Sequence, residues 1–335
     1  MTLTETSKIA APSAPRPALS ASPWVRFGAR RLGRLVVSLW VLLTAAFLMI
    51  HLIPGDPVRG ALGPTASAEL VAAKRTSLGL DDPLWTQYVH YVQGIFTGDF
   101  GTSLTSQLST SDVISQRLPA TLWLAVLGFL VAVAVAVPLG VAAGVLTRRG
   151  HGRRTELGFT TTSVVLGTIP DFMIGVALVY VFGVRLDLLP VAGNDTASAY
   201  VLPVLSLAIG PAAILARVIR IEMVTVLQAD FIRTARAKRL PAARVYLSHA
   251  LPNALTAALT LSGMLLTGMV AGTVLVKNVF AWPGMGSTIV SSILNKDYPV
   301  VQGIILMYGV GVLLINTLVD VCLALLDPRS MIRED

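Results

Sequence analysis

Apolar residues gather into six runs, at about 33–53, 118–146, 157–183, 201–219, 251–275 and 301–326. Each is near the roughly 20 residues that a helix needs to cross hydrocarbon, so the pattern predicts six membrane-spanning helices. The first run lies too far from the N-terminus for a removed signal peptide and lacks a small-residue cleavage site, which makes it a retained anchor. Residues 1–25, rich in Ala, Ser, Thr and Pro over 1–22, are expected to form a disordered tail.

The intervals between the runs are unequal. Residues 54–117 are too long for a simple loop, and their SAELVAAKRTSLGL and DPLWTQYVHYVQGIF stretches carry apolar residues at helical spacing, broken by Gly79, Asp81, Asp82 and Pro83. Two short helices on the outer face are expected there, with Trp85, Tyr88 and Tyr91 at headgroup level. A second external piece, WPGMGSTIVSSILNKDYPVVQG, opens on turn residues and then reads as a short helix before the last span. Within the spans, Gly140 and Gly144 form a GxxxG pair, and Gly167 and Gly175 offer further close-approach positions. Pro138, Pro170, Pro203 and Pro211 remove backbone donors in or at the ends of spans and are expected to kink them.

Composition agrees with an all-α polytopic membrane protein: 54% of residues are hydrophobic, 13% are charged and the mean hydropathy is +0.73. The net charge of +8 needs no nucleic-acid partner, because a membrane protein that holds Lys and Arg on one side gives the same balance. Residues 1–34, the loop at 148–154, residues 217–250 and the C-terminal tail together hold 19 of the 26 basic residues, and the opposite side holds seven. The positive-inside rule therefore puts both termini in the cytoplasm. Cys322 is the single cysteine and the four histidines complete no zinc pattern; His151 and His249 read as solvated or capping side chains in cytoplasmic loops.

The sequence contains no GxxxxGK[ST], HExxH or GxSxG, so no catalytic residue, metal site or intrinsic ATPase is assigned. Two acidic residues fall within the runs. Asp171, after Pro170 near the middle of the third, is a candidate for lining a water-filled pathway, because a charge in hydrocarbon is costly. Asp320, one turn after Asn316, is expected to make an interhelical hydrogen bond. A transport protein without an energy-coupling motif draws either on an ion gradient or on another subunit. Residues 221–238 continue helically past the fourth run, with Phe231, Ile232 and Ala235 on one side and Arg233, Arg236 and Lys238 mostly on the other. That helix suits a partner's groove, with an anionic lipid surface as the competing occupant.

The stretch ADFIRTARAKRLPAARVYLSHALPNAL resembles the cytoplasmic coupling loop of permease subunits of binding-protein-dependent ABC importers, in the dipeptide/oligopeptide/nickel family. HLIPGDPV, LGLDDPLWTQYVHYVQGIFTGDFGTSL, RLPATLWLA, VFAWPGMG, NKDYPVVQG and NTLVDVCLALLDPR are similar to the same family, so the resemblance covers nearly all of 26–330. It implies residues 26–117 as first helix and external segment, and 118–330 as a five-helix transport core with coupling loop 220–250 and external loop 276–300. Implied partners are a second homologous permease, two ATPase subunits that bind ATP and Mg, an extracytoplasmic binding protein and the inner-membrane bilayer. Peptides or related solutes would move inward. Arg233, Thr234, Ala235, Leu251 and Pro252 fall on the family's coupling signature, and Phe231, Arg236, Lys238 and Arg239 complete the segment expected to dock on an ATPase. Arg239 stands where the signature usually has Gly, which leaves Pro241 to shape the turn. Lys277 stands where the family tends to have Glu, an external charge reversed. An ion-coupled carrier or channel using Asp171, and a membrane scaffold that binds ATPases without a polar cavity, remain as alternatives.

Overall fold

The computed structural model describes residues 23–52, 56–63, 65–148 and 152–326. The expected tail lies outside them except for its last residues, which open the first helix. His151 and the end of the NTLVDVCLALLDPR motif also lie outside. The described residues form thirteen α-helices and one isolated antiparallel bridge, Thr102 to Ser109. Five helices are long and apolar enough to cross a membrane, and a bent pair makes up to a sixth span.

Helix α1 (Pro23–Leu52) presents Val36, Val37, Trp40 and Val41 outward, as lipid contact requires. Its other side receives the external segment, in which α2 (Pro57–Leu62), α3 (Ala68–Ser77) and α4 (Leu84–Thr97) are short helices. Asp56 caps α2 through Val58 N–H at 2.9 Å, and Ser67 caps α3 through Leu70 N–H at 3.2 Å. Tyr88 and Tyr91 are partly buried against the first helix. They pack on Phe47 of α1, with ring centroids 5.2 and 5.6 Å away, and the Tyr88 hydroxyl meets Thr44 Oγ1 at 2.9 Å. The sequence places these rings on the correct helix but cannot show that α4 lies against α1; Trp85 alone of the three stays largely exposed.

Helix α5 (Thr110–Leu146) starts well before the apolar run at 118, and α8 (Val201–Val226) extends beyond its run in the same way. Pro138, like Pro119, sits inside unbroken α5, and Pro211 inside unbroken α8. Proline alone therefore ends none of these helices. The α5–α8 seam is the centre of the fold, and small residues set its closeness. A Cβ added to Gly140 would lie 2.7 Å from Ala216 O, and one on Gly144 would lie 2.7 Å from Met223 Cβ. Both are contacts that no side chain tolerates, so the GxxxG pair acts as the close approach its spacing predicts. Ile219, Met223, Ala136 and Leu215 fill the core beneath it.

The third run is not one helix. Helix α6 (Arg153–Thr168) and α7 (Asp171–Leu178), the latter continued by a π-helical turn at Val179–Arg185, meet at 96°. Ile169 precedes proline and takes an extended conformation, φ −70° and ψ 126°, so α6 stops at Thr168. Pro170 is itself extended, and Asp171 then opens α7 with a carboxylate in its first turn, where the helix dipole favours negative charge. Asp171 is thus near the middle of the third span, at a break between its half-helices.

After α8 the chain turns at 227–229 instead of continuing helically, then forms α9 (Asp230–Ala237), α10 (Ala242–Arg244) and a π-helical segment, Val245–Ala250. That segment runs directly into α11 (Leu251–Val279). Helix α12 (Met285–Leu294) and α13 (Tyr298–Leu326) complete the described residues. The Asp297 carboxylate at the head of α13 accepts from Leu104 N–H at 2.9 Å and from the Ser103 hydroxyl, so the external segment is pinned to the last span. Asp320 forms an ion pair with Arg31 of α1, whereas Asn316 accepts from Thr267 Oγ1 of α11 at 3.2 Å. The expected interhelical bond at Asp320 is a charged one, and each residue binds a different helix.

Candidate functional site: the broken span and the coupling loop

The carboxylate of Asp171 rests between α8 and α11. A Cβ on Gly210 would stand 3.3 Å from its Oδ1, and one on Gly272 would stand 3.1 Å from Oδ2. Two glycines therefore clear the space that this group occupies. Ser206 Oγ donates to the Asp171 carbonyl at 2.6 Å and fixes the first turn of α7 to α8. Among the described residues no side chain pairs with the carboxylate itself, which is partly exposed. Such a group can receive a hydrogen-bond donor or a cationic group from a solute without first breaking a bond. Gly210, Gly272 and Ser206 were not singled out from the sequence, because a lone glycine in an apolar run carries no sign of which neighbour it accommodates.

Beneath the break, α6 is tied to α8. Arg220, nearly buried, pairs with Glu156 Oε1 at 2.6 Å and donates from Nε to Thr147 Oγ1 at 3.0 Å. One guanidinium thereby joins α5, α6 and α8. An arginine following an apolar run was the available signal, since such a charge is buried only with partners.

The residues expected to dock on an ATPase divide differently from the sequence expectation. Ile232 is fully buried and Ala235 nearly so, in one cluster with Met223, Leu227, Val245 and Ala250 of their own chain, while Phe231 is 47% exposed. Phe231 thus leaves the face it was expected to share: neighbours on a helix stand about 100° apart, and with Ile232 in the core Phe231 turns away from it. Arg233 pairs with Asp230 at 3.2 Å in the open, Thr234 Oγ1 donates to Asp230 O at 3.1 Å, and Lys238 and Arg239 are exposed. Arg236 is half-buried, with an Nη2 that has no acceptor among the described residues. Leu251 and Pro252 lie where the π-helical segment passes directly into α11.

Arg239 adopts φ +55°. Its N–H donates to Arg236 O at 2.9 Å and Leu240 N–H to Ala235 O at 3.4 Å, the paired bonds of a Schellman ending. Arginine therefore takes up the left-handed turn that a glycine would adopt freely, and Pro241, extended, opens α10 after it. The turn keeps its left-handed shape despite the substitution.

Lys277, read from the sequence as a reversed external charge, is fully buried within the protein. Its Nζ donates to Thr121 Oγ1, which also accepts from Met285 N–H at 3.1 Å. A Cβ on Gly284 would lie 2.5 Å from Nζ, so the WPGMG loop is wrapped around this side chain. Among the described residues no carboxylate pairs with it.

Comparison with known proteins gives this architecture a family. Residues 136–332 match the family described as binding-protein-dependent transport system inner membrane component, and residues 24–125 match its N-terminal companion. The glutathione transport system permease protein GsiC of Salmonella typhimurium is 38% identical over 299 residues, which cover 89% of this chain and 96% of that protein. GsiC of Escherichia coli K12 and of Shigella dysenteriae match with the same identity and coverage. With its broken third span, its short helix α9 between α8 and α11, and family matches over most of its length, the chain belongs to the inner-membrane permease subunits of binding-protein-dependent ABC importers, in the dipeptide/oligopeptide/nickel family.

Proposed function

We propose that this permease carries peptide-like solutes, di- or oligopeptides or glutathione, into the cytoplasm along a path that passes Asp171 and Pro170. The observation that carries this reading is the unpaired Asp171 carboxylate at the break, in a space cleared by Gly210 and Gly272. A zwitterionic peptide presents an ammonium group that a carboxylate attracts, and the relatives named as glutathione permeases handle a solute with the same group. The chain itself performs no catalysis; ATP and Mg bind to two partner ATPases, a second permease completes the path and an extracytoplasmic protein delivers the solute. Both termini and 220–250 face the cytoplasm, so α9 meets the ATPases with Phe231, Arg233, Thr234 and Lys238 exposed.

Uptake by the reconstituted assembly tests the reading. Labelled glutathione and a labelled dipeptide are offered to wild type and Asp171→Asn. The variant should assemble normally and import at a clearly lower rate; unchanged kinetics would assign Asp171 to packing. Uptake abolished by an inactive ATPase but indifferent to a collapsed proton gradient separates this mechanism from an ion-coupled carrier. Orientation is checked with membrane-impermeant thiol reagents, which should modify a cysteine at Ser67 and spare one at Ser248.

A further inference from the structure

An apolar groove of about 520 Å³ runs along the outside of the bundle between α5 and the π-helical start of α11. Val137, Val141 and Leu146 form one wall, and Tyr246, Leu247 and Leu251 the other. Leu146 and Leu247 are more than half exposed. Measured along α5, Val137 to Leu146 is nine residues at ~1.5 Å each, close to half of the ~30 Å hydrocarbon thickness. The groove therefore has the length of a single leaflet.

Its end carries a charge. Arg148 follows α5 and lies over the Tyr246 ring, 5.4 Å from the centroid, while donating to the Tyr246 hydroxyl. Tyr246 lines the groove, so the guanidinium closes one end of it. A guanidinium has five N–H donors, and that bond uses one. Among the described residues Arg148 has no carboxylate partner, unlike Arg220, which is held by Glu156 one layer inward.

We propose that this groove is a binding site for one anionic phospholipid of the cytoplasmic leaflet, its acyl chain along α5 and its phosphate on Arg148. Charge complementarity selects this occupant: an apolar channel of one-leaflet length ending in an unpaired cation matches a lipid's tail and headgroup in order. A protein helix would satisfy the apolar walls but leave the guanidinium unanswered. The choice of leaflet rests on the orientation proposed above.

Native mass spectrometry of the assembled importer, equilibrated with equal phosphatidylglycerol and phosphatidylcholine of matched chains, tests the site. Wild type should retain phosphatidylglycerol about fivefold more strongly, the effect of one arginine at a membrane surface. Arg148→Gln should remove that preference while phosphatidylcholine retention holds. Ala142→Phe, which fills the groove, should displace both lipids. Equal retention by wild type, or a preference that survives Arg148→Gln, overturns the proposal. A cysteine at Leu247 that cross-links to a partner subunit also overturns it. Thiol labelling at Ser248 in the same preparation reads orientation separately, so an inverted topology is distinguishable from an empty groove.

Discussion

Adjacent residues on α9 make a sharp test of the coupling assignment, because Phe231 points out and Ile232 points in. A phenylalanine side chain buries roughly 200 Å² when fully covered. With 47% still exposed in the isolated subunit, an ATPase groove can cover close to half of that area. At about 25 cal/mol per Å² this contributes about 2 kcal/mol to docking, or roughly thirtyfold in affinity. Phe231→Ala should therefore weaken ATPase association by that order while leaving the permease's own thermal unfolding unchanged. Ile232→Ala removes a fully buried side chain and should cost the subunit itself about 2 to 5 kcal/mol. Titration of labelled ATPases onto permease in nanodiscs gives the first quantity, and unfolding of the permease alone gives the second. If Phe231→Ala binds ATPases as wild type does, or if the two variants change both quantities alike, α9 is not the docking element.

Three further outcomes are expected. Gly140→Ala should lower permease stability by about 1 to 3 kcal/mol through overpacking, whereas Gly158→Ala in α6, whose added Cβ meets nothing within 4 Å, should be neutral or slightly stabilising; thermal unfolding of both reads the contrast. Arg239→Gly should raise stability by about 1 kcal/mol, since glycine adopts the positive φ without the Cβ penalty, and a fall would mean that the exposed side chain holds the turn. Glu156→Gln should be tolerated far better than Arg220→Met, because the first keeps a hydrogen-bond acceptor and the second leaves α5, α6 and α8 unjoined; protease sensitivity at the start of α6 measures the difference.

The membrane character, the short helices between the first two spans and the short helix α9 were legible because each rests on local pattern: apolar length, periodicity and turn residues. The break in the third span was not. Pro119, Pro138 and Pro211 lie in continuous helices, so Pro170 alone did not distinguish a kink from a break. The sharper clue was Asp171 directly after it, since an extended proline followed by an acid is how a new helix begins. Phe231 and Ile232 were placed on one side, but adjacent residues on a helix stand about 100° apart, so the core takes one and leaves the other out. The burial of Lys277 was not legible, because the group that receives its ammonium, Thr121, is more than 150 positions away in sequence. The space around the Asp171 carboxylate was likewise invisible, since Gly210 and Gly272 gain their meaning only when α8 and α11 meet.

The two halves of the third span share a mooring. Helix α6 is held to α8 through Glu156 and Arg220, and α7 is held to the same helix through the bond from Ser206 to Asp171. Between these attachments stands the extended pair Ile169–Pro170, whose backbone bonds each stay within one half-helix: Ile169 N–H closes α6 on Val165 O at 3.3 Å, and Pro170 O accepts from Met173 and Ile174 N–H at 2.9 and 3.2 Å. A straight helix loaded at its inner end would transmit axial thrust along its whole length. Here a push on α6 travels instead into α8, a single rigid beam, and the two half-helices behave as flaps on that beam with a pivot between them. Tilting one flap requires a rotation about the break and no helical bond need rupture, so a small displacement at the Arg153 end of α6 can swing Asp171 without lengthening the span.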